Sequence, residues 1–261
     1  MHDELAVLAR GLIKDYDGTR VVDNLDLEVP RGEFFGFLGP NGAGKTTTIR
    51  VLCGLLKPSA GEVQVAGFDV LEEPLKVKAR IGVLPEEPVL YERLTGREML
   101  WYAGRLYGLD SYTVEERSED LLSLMALTGK DADRPIVDYS MGMRKKVGLA
   151  CALLHKPAVL FLDEPFGGID AVTSRAIYGV LRSAVAAGMT IFFTSHVLEV
   201  AESLCSSVGI IQNGRLRAVG SLEQVREQAG APPGTPLGEV FVDMVDPGTA
   251  ERTADLLQWL A

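Results

Sequence analysis

Residues 39–47 read Gly-Pro-Asn-Gly-Ala-Gly-Lys-Thr-Thr, and this stretch restricts the fold more than any other. It carries a complete G-x-x-x-x-G-K-[ST] pattern in Gly39, Gly44, Lys45 and Thr46. Residues 33–38, Glu-Phe-Phe-Gly-Phe-Leu, run into it as an apolar, strand-like segment, and residues 47–56 leave it as a helix that Pro58 would stop. Strand, glycine loop and helix together turn backbone N–H groups and a helix N-terminus toward one anion. Side chains at Gly42 or Gly44 would block that approach or strain the backbone. Lys45 would reach the β- and γ-phosphates of a nucleotide, and the Thr46 hydroxyl would ligate Mg²⁺. Pro40, Asn41, Ala43 and Thr47 complete the loop as candidate contacts to the same ligand.

The rest of the chain alternates strand and helix patterns. Segments 5–13, 24–29, 33–38 and 61–65 are β-like, with turns at Asp17-Gly18, Pro30-Arg31-Gly32 and Ser59-Ala60-Gly61. Residues 81–84 form a short apolar strand ended by Pro85. From about residue 95 to 157 the period becomes helical, over 97–107, 113–127 and 140–155, with Thr113 and Glu116 reading as a capping box. This block predicts an inserted helical subdomain. Segments 158–162 and 190–194 are continuous apolar runs, which suit a parallel sheet covered on both faces, with 172–186 as the crossover helix. Residues 208–212 and 215–219, joined by Asn213-Gly214, predict a hairpin. The expected organisation is one domain over 1–228, then a Pro/Gly linker and a short amphipathic tail over 229–261.

A second constellation follows from the run Val159-Leu160-Phe161-Leu162-Asp163-Glu164. A buried parallel strand delivers its last carboxylates to the carboxyl edge of the sheet, where the glycine loop also lies. Asp163 is suited to hold Mg²⁺, directly or through water, and Glu164 to polarise an attacking water. The net charge of −10 argues against a broad nucleic-acid surface, and no nucleic-acid partner is expected. No apolar run approaches the roughly 20 residues needed to cross a bilayer, and the first residues, Met-His-Asp-Glu, lack a signal-peptide pattern. The expectation is a cytoplasmic chain that reaches a membrane only through another polypeptide. Cys53, Cys151 and Cys205 are widely spaced in apolar surroundings and read as reduced, structural thiols.

Taken together, these motifs resemble the nucleotide-binding subunit of an ATP-binding cassette (ABC) transporter, in the family's order from about residue 5 to 220. Tyr16 resembles the aromatic that stacks on adenine. Tyr139-Ser140-Met141-Gly142-Met143 resembles the signature motif, Gly167-Gly168-Ile169-Asp170 the D-loop, and Thr194-Ser195-His196 the switch histidine. The resemblance implies an α/β fold: a P-loop NTPase core with a mixed, largely parallel sheet, an antiparallel β subdomain and the inserted helices. It implies ATP and Mg²⁺ as ligands, with Glu164 and His196 catalytic. It also implies a second subunit, in a head-to-tail homodimer, whose ATP would meet Ser140, Gly142 and Asp170. A separate membrane permease would complete the assembly. The segment 90–98 and the Pro-rich tail look most like ABC-2-type exporter subunits.

The chain departs from the family pattern at Met141 and Met143, where Gly and Gln are usual, and at Glu86, which stands at the Q-loop position in place of Gln. Glu86 could ligate Mg²⁺ or its water beside the nucleotide, or simply face solvent. Arg144, Lys145 and Lys146 open the signature helix, where cations are unfavourable unless an anion docks, and a solvated basic face is the plainer reading. Soluble relatives acting in translation or DNA repair, or a regulatory nucleotide switch, are the alternatives. The first would require two cassettes or a long coiled-coil insertion, and Glu164 argues against the second.

Overall fold

The computed structural model describes residues 4–245. In chain order the elements begin with β1 (Leu5–Tyr16), β2 (Thr19–Pro30), β3 (Phe34–Leu38), α1 (Lys45–Leu52), β4 (Ala60–Val65), β5 (Phe68–Asp69), α2 (Pro74–Arg80) and β6 (Ile81–Leu84). A helical stretch follows, with α3 (Gly96–Leu106), α4 (Ser111–Leu124) and α5 (Met141–Leu153). The chain then returns to β7 (Val159–Asp163), α6 (Ala171–Ala186), β8 (Thr190–Ser195), α7 (Leu198–Leu204), β9 (Ser207–Gln212), β10 (Arg215–Ser221), α8 (Leu222–Gln228) and α9 (Leu237–Val245). Residues 246–261, which hold most of the expected amphipathic tail, lie outside the described residues.

The strands form two sheets: an antiparallel one ordered β2-β1-β4-β5, and a mixed one ordered β10-β9-β3-β8-β7-β6. In the second, β9, β3, β8, β7 and β6 run parallel, and only β10 is antiparallel, as the return arm of the Asn213-Gly214 hairpin. Both turn residues have positive φ, which matches the twist of the paired strands. The fold class is therefore the one expected.

The continuous apolar runs are explained by burial on both faces. In β3, Phe34 and Leu38 pack with the helices on one side while Phe35 and Phe37 pack against the antiparallel sheet. In β7, Leu160 and Leu162 face the first core and Val159 and Phe161 the second; in β8, Ile191 and Phe193 oppose Phe192. Alternation persists in direction, but the strand interiors are apolar on both sides because neither face meets water, and polar residues stand only at the strand ends. Phe192 sits centrally among Phe35, Phe37 and Phe161, with ring centroids 5.3–5.5 Å apart.

Two local expectations are corrected. α1 ends at Leu52, short of the expected residue 56, because Gly54 turns left-handed (φ 64°) and lets the Leu55 N–H close back onto the Arg50 carbonyl. The Thr113/Glu116 capping box does not form. Asp110 caps α4 instead, and its carboxylate accepts both the Thr113 N–H (3.0 Å) and the Thr113 hydroxyl (2.6 Å). A reciprocal box does occur at the start of α3, between Thr95 and Glu98. The Pro/Gly stretch after α8 is tied to the preceding elements. The Arg226 guanidinium donates to the Thr235 carbonyl (2.7 Å) and to Glu202 on α7 (2.6 Å), and Leu237 and Val240 are fully buried.

Candidate functional site

The strand register brings the chemistry to one edge. Leu38 of β3 pairs with Ser195 of β8, and Asp163 of β7 pairs with Thr194, so the glycine loop, the two acids and His196 leave the sheet at the same carboxyl end. A cavity of about 390 Å³ opens there. Its lining includes the loop from Pro40 through Asn41, Gly42, Ala43, Gly44, Lys45 and Thr46 to Thr47, closed by Glu86, Glu164 and His196. Val21, which the sequence did not single out, lines it from the antiparallel sheet.

The loop is held by backbone. A Cβ on Gly39 would lie 2.4 Å from the Ile211 carbonyl oxygen, and one on Gly44 would lie 2.7 Å from that of Val21. Gly44 also has φ 105°, and Gly42 φ 79°, but a Cβ on Gly42 would meet nothing within 4 Å. The Lys45 ammonium is buried and donates to the carbonyls of Gly39 (2.7 Å) and Pro40 (3.3 Å), and it lies 3.5 Å from Glu164 Oε1. That carboxylate oxygen is buried and has no hydrogen-bond partner among the described residues. The other, Oε2, is 3.0 Å from His196 Nδ1. An ionised carboxylate requires the Nδ1–H tautomer there, so a neutral ring keeps Nε2 as an acceptor and a protonated ring presents a second donor.

Thr194 organises the acids. Its hydroxyl donates to Asp163 Oδ1 (2.6 Å) and accepts the Glu164 N–H (3.1 Å), all buried. A lone threonine late in an apolar run was the available signal for it. Glu164 itself has φ 45°, unusual for a residue with a Cβ.

The donor set fits a nucleotide with a hard cation. The unpartnered Glu164 oxygen, the Gly42 wall open to its surroundings and the loop N–H groups suit an anion and a water. The oxygens of Thr46, Asp163 and Glu86 are the type that binds Mg²⁺. No cluster of three or more His, Cys, Asp or Glu side chains suited to a metal occurs among the described residues.

The other candidates lie outside this cavity wall. Tyr16, at the end of β1, is 39% exposed, with Lys14 Nζ 4.9 Å from its ring centroid. Ser140 caps α5, its hydroxyl accepting the Met143 N–H at 3.2 Å. Gly142 backs onto Thr173, 3.4 Å from where its Cβ would stand. Asp170 caps α6, taking the N–H groups of Val172 and Thr173 at 2.9 Å and the Thr173 hydroxyl at 2.7 Å.

The basic face at Arg144–Lys146 is corrected. Arg144 pairs with Glu92 at 3.1 Å, and Lys145 is buried at 1% exposure, inside the core. The reason is tertiary: its ammonium meets two main-chain carbonyls that only the folded chain brings to it. The cysteines are unpaired among the described residues, and burial raises their thiols out of the reactive range, Cys151 to about 12. His155 stacks on Tyr107 with centroids 3.6 Å apart, a structural placement.

Residues 22–167 match the family model described as ABC transporter. The chain is 40% identical over 226 residues to the daunorubicin/doxorubicin resistance ATP-binding protein DrrA of Streptomyces peucetius, spanning 87% of this chain and 68% of that one. It is 36% identical over 222 residues to the linearmycin resistance ATP-binding protein LnrL of Bacillus subtilis, spanning 85% and 71%. Among solved structures, an ATP-binding subunit of an ABC transporter superposes with a TM-score of 0.86 at 34% identity, covering 92% of this chain and 99% of that one. A dimeric ATP-binding cassette bound to ADP and Pi shares the fold, with a TM-score of 0.77 at 23% identity over 83% of this chain and 98% of that one.

Proposed function

The chain belongs to the ABC transporter family, and from that premise we propose that it binds and hydrolyses ATP to power a separate membrane permease of the exporter kind. The observation that carries this reading is the closure of one cavity by the loop from Pro40 to Thr47, Glu164 and His196. Support for export comes from the relatives, which are named as resistance ATP-binding proteins.

In this reading Lys45 and the N-terminal N–H groups of α1 take the phosphates, and Tyr16 offers the ring face opposite Lys14 to adenine. Mg²⁺ held by Thr46 and Asp163, with Glu86 beside it, would neutralise charge on the β- and γ-phosphates. Glu164 orients and deprotonates the attacking water. His196 is held against it and can take a water proton or give one to phosphate. Ser140, Gly142 and Asp170 stand on α5 and at the start of α6, away from this cavity, and would close over the ATP of a second copy, head to tail. The domain reading remains residues 1–228 as the ATPase unit and 229–261 as an appended segment.

No helix among the described residues is long and apolar enough to cross a membrane, and in this reading the membrane path belongs to the permease. Residues 83–90 and α3 bound a further cavity of about 260 Å³, lined by Val83, Pro88, Val89, Leu90, Met99 and Ala103, and Val89 is 94% exposed. That groove suits a short cytoplasmic helix of the permease and would place the chain on the cytoplasmic face. Helices among the described residues reach at most 16 residues, too short for the coiled-coil insertion of the soluble alternatives. Co-expression with a six-helix permease tests the proposal. Co-purification and permease-stimulated ATP turnover are expected, and a chain that neither binds the permease nor responds to it would overturn the reading.

A further inference from the structure

We propose that Lys145 is a positioning residue for hydrolysis: from α5 it pins the backbone of Glu164 so that the carboxylate faces the cavity. The proposal rests on the reading of Glu164 as the base.

Glu164 occupies the left-handed region, φ 45°, which a residue with a Cβ keeps only where its surroundings enforce it. Two contacts enforce it here. On the amide side, the Glu164 N–H donates to the Thr194 hydroxyl at 3.1 Å. On the carbonyl side, the Lys145 ammonium donates to Glu164 O at 2.8 Å, and the same ammonium donates to Gly167 O at 2.7 Å. The Gly167 N–H also closes onto Glu164 O at 3.2 Å, so residues 164–167 form a tight turn whose two ends are bridged by one cation.

Packing alone does not account for a lysine at this position. A methionine would fill the same space without the cost of desolvating an ammonium. Burial lowers the Lys145 pKa, while the charges of Glu86, Glu164 and Asp163 act the other way, so the cation sits near the acids of the site. Its hydrogen bonds go to main-chain oxygens, whose positions it fixes. Lys145 follows the Ser140 cap on the same helix, so the turn that bears the base and the start of α5 are joined through one side chain.

The test is a double-mutant cycle on the full chain, using Mg-ATP in single-turnover and steady-state assays. Lys145→Met is expected to lower kcat by roughly 10–100-fold, the scale of a misplaced catalytic group, with KM and the affinity for a fluorescent ATP analogue little changed. Lys145→Arg, which keeps N–H donors near both carbonyls, is expected to recover most of the rate. In the Glu164→Gln background, Lys145→Met is expected to add no further loss, because its effect runs through Glu164. Wild-type kcat in Lys145→Met, or an equal loss in both backgrounds, would overturn the proposal. Should Lys145→Met not fold, Lys145→Gln is judged by the same criteria. Near-normal turnover by Glu164→Gln alone would instead remove the base assignment, and this proposal with it.

Discussion

The imidazole of His196 and the carboxylate of Glu164 are in direct contact, Nδ1 to Oε2 at 3.0 Å, across the carboxyl ends of β8 and β7. One oxygen of the acid is thereby engaged, and the other is left beside Lys45 at 3.5 Å.

Replacing that acid by its amide keeps shape and removes basicity. Glu164→Gln is expected to retain ATP binding and to slow hydrolysis by roughly 10²–10⁴-fold, the usual worth of a general base. It should also accumulate an ATP-bound dimer, seen as a mass shift in light scattering with Mg-ATP. Turnover close to wild type would remove Glu164 from the base role.

His196→Ala is expected to reduce kcat on the order of 10²-fold, as for loss of one preorganised hydrogen-bonding group, with ATP affinity largely kept. The side chain is about half exposed, so the fold should tolerate its loss. A variant that lost melting temperature yet kept its specific activity would mark the histidine as structural.

For Lys45→Ala the expected result is weaker ATP binding. The buried ammonium would otherwise exchange its contacts with Gly39 O and Pro40 O for phosphate oxygens. Truncating one side of such a charge pair costs about 2–5 kcal/mol. Isothermal titration with ATP reads this directly, and unchanged affinity would contradict the loop assignment.

Glu86 lines the cavity although its side chain is exposed, so its charge faces the nucleotide's side of the site. Glu86→Gln is expected to change the Mg²⁺ concentration for half-maximal ATPase activity and to weaken coupling to the permease. Superimposable magnesium titrations, with and without the permease, would make Glu86 a spectator.

The phosphate loop, the acidic strand and the core strands were legible because each is written locally. Glycines at set spacing, and apolar runs closed by Asp163 or Thr194, follow from backbone geometry and two-sided burial. The start of α4 was misread because Asp110 and Thr113 both carry capping oxygens, and only the folded turn shows that the carboxylate takes the N–H. Lys145 was illegible for a stronger reason. Its sequence neighbours, Arg144 and Lys146, suggest a solvated face, while its partners lie 19 and 22 residues away and meet it only once β7 is in the sheet.

The glycines of the phosphate loop are not interchangeable. Gly39 is hemmed in by the Ile211 carbonyl of β9, so any larger residue would push apart neighbouring strands of the main sheet, whereas Gly42 has open space and needs only its backbone freedom. A descendant of this chain released from handling ATP would still be bound to glycine at 39 by its architecture. At 42 it could drift, first toward Asn or Asp, the residues that best tolerate that backbone.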